Sequence, residues 1–155
     1  MNADYDHDLT AWSREQAHLL RAGAFSQLDI THLAEEIEDL GKLERRALES
    51  RLAVLLGHLL KWQFQPDYPN RKSWRATINV QRRSIGKLLN ENPSLRPQVE
   101  RMIADAYPEA IDLAVAETPF DYGHFPADCP WDQLQVLSDN WPSTSEPPAC
   151  SLSKD

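Results

Sequence analysis

DITHLAEEIEDLGKLERRALESRLAVLLGHLLKWQFQP, residues 29–66, is the stretch on which the fold turns. Ile30, Leu33, Ile37 and Leu40 advance by three, four and three positions, the spacing that keeps side chains on one face of a helix. The rhythm resumes at Leu48, Leu52, Leu55, Leu59 and Trp62, after a step of eight from Leu40. Asp29 supplies a capping carboxylate at the start, and Pro66 and Pro69 end the segment. One helix of about 35 residues would run roughly 50 Å. That exceeds a compact small domain, so a kink near Gly41 joining two helices is the expectation.

Outward from this segment the same grammar repeats. Asp8 caps a first helix of about 14 residues, with Leu9, Trp12, Leu19 and Leu20 available for burial and Gly23 as the stop. Ser73 opens a helix carrying Trp74, Ile78, Gln81, Ile85 and Leu88, closed by Asn92-Pro93. Ser94, with Pro97 in the first turn, opens another that presents Leu95, Val99, Met102, Ile103, Ala106, Ala110 and Leu113 and bends at Pro108. No stretch alternates apolar and polar residues long enough for a strand. The expected fold is all-α: a compact antiparallel bundle of four to six helices with a short irregular C-terminal segment, one domain over residues 1–141 and a flexible tail over 142–155.

The 155 residues are 41% hydrophobic and 26% charged, enough for a packed core without metal or disulfides. The longest apolar run, Leu52 to Leu60, is far too short for a membrane span, and the acidic start lacks the pattern of a secretory signal, so a cytoplasmic protein is expected. Cys129 and Cys150 alone support neither a structural disulfide nor a zinc site. The five glycines are scattered and form no phosphate-binding loop. No cofactor is implied.

Charge is distributed unevenly. Arg71, Lys72, Arg75, Arg82, Arg83 and Lys87 occur with no acid between residues 71 and 90, whereas residues 100–155 hold 11 acids against Arg101 and Lys154. Residues 28–40 add Asp29, Glu35, Glu36, Glu38 and Asp39. The basic run, with Trp62 and Trp74 nearby, forms a candidate binding surface for phosphate: Trp62, Arg71, Trp74, Arg75, Arg82 and Arg83. A net charge of −8 opposes nucleic-acid binding, and pairing of the basic helix with acidic helices inside the bundle is the plainer expectation.

Two further groups carry potential chemistry. His32, Glu35 and Glu36 lie one helical turn apart and form a candidate metal set, although di-iron bundles need a second such unit that this chain lacks. His58 sits beside the Leu55, Leu59 and Trp62 stripe, where it serves as a packed histidine or a proton-transfer group; no nucleophile motif accompanies it. No catalytic residue is assigned.

Several segments carry a family resemblance. Tyr5-Asp6-His7-Asp8 with Trp12, His32-Leu33-Ala34-Glu35-Glu36-Ile37-Glu38-Asp39-Leu40-Gly41-Lys42, His58-Leu59-Leu60-Lys61-Trp62-Gln63 and Phe125-Pro126-Ala127-Asp128-Cys129-Pro130-Trp131 are among them. Over residues 4 to 141 the chain resembles a bacterial family catalogued as domain of unknown function 29. The resemblance implies a helical cytosolic bacterial protein and supplies no activity, substrate or cofactor. The expected role is a non-enzymatic protein–protein interaction module, self-associating as a homodimer or binding a protein partner, with no membrane role. The alternative is a phosphate-directed nucleic-acid-binding protein or phosphoester enzyme using the basic helix.

Overall fold

The structure, a computed structural model, describes residues 3–142. Five α-helices occur among them, with no strand: α1 Leu9–Arg21, α2 Ile30–Phe64, α3 Arg71–Glu91, α4 Val99–Glu117 and α5 Gln133–Leu137. Short 3-10 turns cover Phe25–Gln27, Pro93–Gln98 and Tyr122–His124. The chain divides into two compact units, Met1–Leu43 and Glu44–Asp155, and the boundary falls within α2. The tail read over 142–155 lies, apart from Pro142, outside the described residues, as does Cys150.

Local signals act where they were read. The Asp8 carboxylate accepts from Ala11 N at 2.9 Å, satisfying an orphan donor at the start of α1, and Gly23 adopts φ 70°, which only glycine enters without strain. Two expectations are corrected. Ser73 does not cap α3: the helix begins at Arg71, and the Ser73 hydroxyl donates to Asn70 O at 2.9 Å instead. Residues 93–98 form a 3-10 turn before α4 begins at Val99, because Pro93 and Pro97 each withhold a backbone donor.

No helix break occurs near Gly41 either; α2 is one continuous helix of 35 residues. The physical reason lies in burial. Every residue from Ile37 to Arg46 is exposed, and a Cβ at Gly41 would meet nothing within 4 Å. Asp39–Lys42 and Arg45–Glu49 pairs line this solvated stretch and support a continuous helix through it.

In the Met1–Leu43 unit, α1 runs antiparallel to the first part of α2. Gln16 Oε1 accepts from Asp29 N at 2.8 Å, Trp12 Nε1 donates to Asp29 Oδ2 at 3.0 Å, and the Tyr5 hydroxyl donates to Glu36 Oε1 at 2.6 Å. Among the described residues of this unit only Trp12 and Gln16 are buried. The Glu44–Asp155 unit holds the core: Leu48, Leu52, Leu55, Leu56, Leu59 and Leu60 of α2 are essentially inaccessible, packed in one cluster with Ile78 and Ile85 of α3 and Val99, Met102 and Ala110 of α4. Gly57 lets α2 approach α4 closely, since a Cβ there would lie 3.3 Å from Ala110 O.

Candidate functional site

The candidate binding residues separate into three environments. Trp62 is half-buried and its ring is covered by the Arg71 guanidinium, 3.9 Å from the ring centre. Arg71 also donates to Trp62 O at 2.6 Å. Trp74 is 6% exposed, stacked on Tyr68 at 4.3 Å and faced by Lys61 Nζ at 5.3 Å. Neither indole offers an open face for a base or a peptide ring.

Arg82 is 5% exposed and turned inward: its Nε donates to Val136 O at 2.9 Å and a terminal nitrogen to Gln135 O at 3.1 Å. Both carbonyls belong to the end of α5, so the guanidinium acts as a C-terminal cap for that short helix. Burial lowers its pKa, and Asp139 opposes the shift.

Arg75 and Arg83, by contrast, are exposed and make no ion pair among the described residues. With Lys72 and Lys87 they follow one outer face of α3, about 22 Å long at 1.5 Å per residue. The expected neutralisation of the basic helix by acidic helices is therefore corrected. Buried Arg82 bonds main-chain carbonyls, which can satisfy its donors without bringing a second charge out of water.

The metal set is not assembled. Among the described residues no group of three or more His, Cys, Asp or Glu side chains is placed to hold an ion. His32 Nδ1 bonds Asp29 Oδ2 at 2.6 Å and its ring stacks on Tyr5 at 4.0 Å, while Glu36 accepts from Tyr5 and Glu35 points to solvent. The hydrogen bond to Asp29 raises the His32 pKa above its ordinary value, favouring an imidazolium over a metal-ready neutral ring.

Two residues that carried no functional weight in the sequence, buried Lys61 and exposed Glu117, form a polar cluster with His58. Lys61 is 2% exposed, forms an ion pair with Glu117 of α4, and lies 3.3 Å from His58 Nε2. His58 Nδ1 donates to Val54 O at 2.8 Å, which leaves Nε2 free to accept from the ammonium. Burial lowers the His58 pKa, and the nearby Lys61 charge adds to that. The cluster is saturated by its own members, with no nucleophile beside it; it fixes α2 to α4. A cavity of about 290 Å³ elsewhere in this unit is lined by Ile103, Tyr107, Asp128, Cys129 and Trp131, but burial raises the Cys129 thiol pKa and keeps it protonated.

A set of exposed large apolar side chains belongs to the Met1–Leu43 unit. Leu9 is 50% exposed, Leu20 47%, Ile30 67%, Ile37 66% and Leu40 63%. Ile30, Ile37 and Leu40, read as core positions, are thus uncovered. At 100° per residue, Leu9 and Leu20 lie about 60–80° to one side of Trp12, and Ile30 and Ile37 lie about 90–110° to the same-handed side of the α2 residues that meet α1. In an antiparallel pair these offsets point to a common face. The hairpin therefore presents one apolar side.

No helix among the described residues is long and apolar enough to cross a membrane. These features define an all-helical protein with an open apolar face and a separate cationic helix face, and no assembled catalytic group among its described residues. The family profile described as Domain of unknown function DUF29 matches residues 5–142, and the chain belongs to that family. No curated protein matches. The fold is similar to the crystal structure, at 1.45 Å resolution, of an alpha-helical protein of unknown function from Rhodospirillum rubrum: 24% identity, 90% of this chain and 92% of that chain covered, TM-score 0.51.

Proposed function

We propose that the protein is a helical interaction module whose Met1–Leu43 unit binds a protein partner through the face bearing Leu9, Leu20, Ile30 and Ile37. The observation that carries this reading is the pairing of a very small core with a large uncovered apolar face. Trp12 and Gln16 are the only buried residues among those described in the unit, and 43 residues is near the size below which a fold usually relies on metals, disulfides or association. Large apolar residues gathered on one side mark interaction sites more often than scattered ones do. Replacing Leu20 and Ile37 by Ser leaves the two buried residues untouched. A partner captured by the unaltered protein and lost by this variant supports the reading; a monomeric protein that captures nothing overturns it.

A second reading, binding of a phosphate-rich ligand, is favoured by one observation: Lys72, Arg75, Arg83 and Lys87 share an exposed face of α3 with no acid on residues 71–90. Salt-dependent retention of RNA that disappears on replacing Arg75 and Arg83 by Ala supports it. No retention at low salt removes it.

A further inference from the structure

The partner's chemistry follows from what surrounds the apolar face, given the interaction-module reading on which this inference rests. Residues 1–43 hold nine Asp and Glu against Arg14, Arg21 and Lys42, a formal charge of −6. The Tyr5–Glu36 hydrogen bond brings the acidic segment Asp4, Asp6 and Asp8, next to Leu9, to the part of α2 that carries Glu35, Glu38 and Asp39; Glu38 lies about 100° around α2 from Ile37, and Glu35 and Asp39 lie on the opposite side of the helix. Glu35 and Glu38 make no ion pair among the described residues, and Asp39 meets only Lys42 across 3.3 Å at the surface. This apolar surface therefore sits in a strongly negative local field.

We infer that the face binds a basic amphipathic helix of another protein, its apolar stripe laid along Leu9, Leu20, Ile30 and Ile37 and its lysines or arginines directed to the acidic end. Two helices packed side by side leave a shallow trough that takes the apolar side of a third, with anchors one and two turns apart. Charge selects the occupant. A second copy docking through the same face would join two units of formal charge −6, whereas a cationic helix is drawn in by the field and meets Glu38 at the rim.

The test uses the full chain and fluorescent synthetic helices of about 18 residues, long enough for several anchors. One carries Leu at helical spacing with Lys and Arg elsewhere. The second keeps the Leu stripe with Glu in place of the basic residues, and the third scrambles the basic peptide so that no stripe forms. Anisotropy titration is expected to show binding of the first alone. Leu20→Ser with Ile37→Ser should weaken it roughly tenfold, the loss typical of interface anchors. Glu38→Lys with Asp39→Lys should weaken it several-fold at low salt, and less at high salt.

Equal binding of the scrambled peptide, equal binding of the acidic one, or no binding of the basic one overturns the inference. Sedimentation at several concentrations separates the two levels. A dimer abolished by Leu20→Ser with Ile37→Ser rejects the basic helix while preserving the interaction module. A monomer that binds none of the peptides and captures no partner rejects both.

Discussion

Lys61 and Glu117 form the one ion pair among the described residues that ties two helices of the Glu44–Asp155 unit together. The lysine is buried and its partner half-exposed, at 3% and 52% of side-chain area. Removing the two partners therefore has unequal consequences. Glu117→Ala strands a buried ammonium whose remaining contacts are His58 Nε2 and the Trp74 ring, and should cost about 1–3 kcal/mol. Lys61→Met combined with Glu117→Gln removes the buried charge altogether and should recover most of that loss. Urea unfolding of the three proteins checks the order.

His58 and His32 should titrate in opposite directions. Burial lowers the His58 pKa below its ordinary 6.5, and the Asp29 hydrogen bond raises that of His32 above it. For His58 the unfolded chain binds the proton more readily, so its contribution is full above 6.5 and is lost as pH falls through the lowered folded value. For His32 the fold binds the proton more readily, so its contribution is full below 6.5 and is lost as pH rises through the raised value. Ring-proton NMR across pH 4 to 9 should place the His58 midpoint below about 6.5 and the His32 midpoint above it. Asp29→Asn should return the His32 midpoint toward 6.5 and leave that of His58 in place.

Glycine at position 57 and glycine at position 41 lie in the same helix with opposite requirements. A Cβ at Gly57 would meet Ala110 O at 3.3 Å and Leu113 Cβ at 3.4 Å, so α2 and α4 must separate slightly to admit it. Gly57→Ala should destabilise by about 1–3 kcal/mol. Gly41 has open space and sits in an exposed helix interior, where Ala is favoured by roughly 0.5–1 kcal/mol. Gly41→Ala should therefore raise the helicity and stability of the protein, measured by circular dichroism on heating.

Much of this architecture is legible in the residues, because capping and turn signals act locally. Asp8, Gly23 and Pro66 mark real helix ends, and Leu48 through Trp62 line a real packed face. What periodicity cannot report is whether a partner covers the face it defines. Ile30, Ile37 and Leu40 have the same spacing as the core leucines and stand in solvent. Gly41 looked like a bend only because a straight helix was weighed against the dimensions of one domain. Arg82 had a detectable signal: it is four residues after Ile78 and three before Ile85, both buried, which places it on the inner side of α3. Lys61 likewise follows Gly57 by one turn, on a side of α2 closed by α4.

That position of Arg82 gives the sharpest contrast within one charged run. Arg82→Ala leaves Val136 O and Gln135 O without their donors beside a buried void, and should destabilise by about 2–3 kcal/mol. Faster amide exchange concentrated in α5 should accompany it, because that helix has five residues and its last carbonyls lose their cap. Arg75→Ala and Arg83→Ala, on the solvated side of the same helix, should change stability by less than about 0.5 kcal/mol. If all three variants unfold at the same urea concentration, the guanidinium of Arg82 is not a structural cap, and the inner and outer faces of α3 have been drawn in the wrong place.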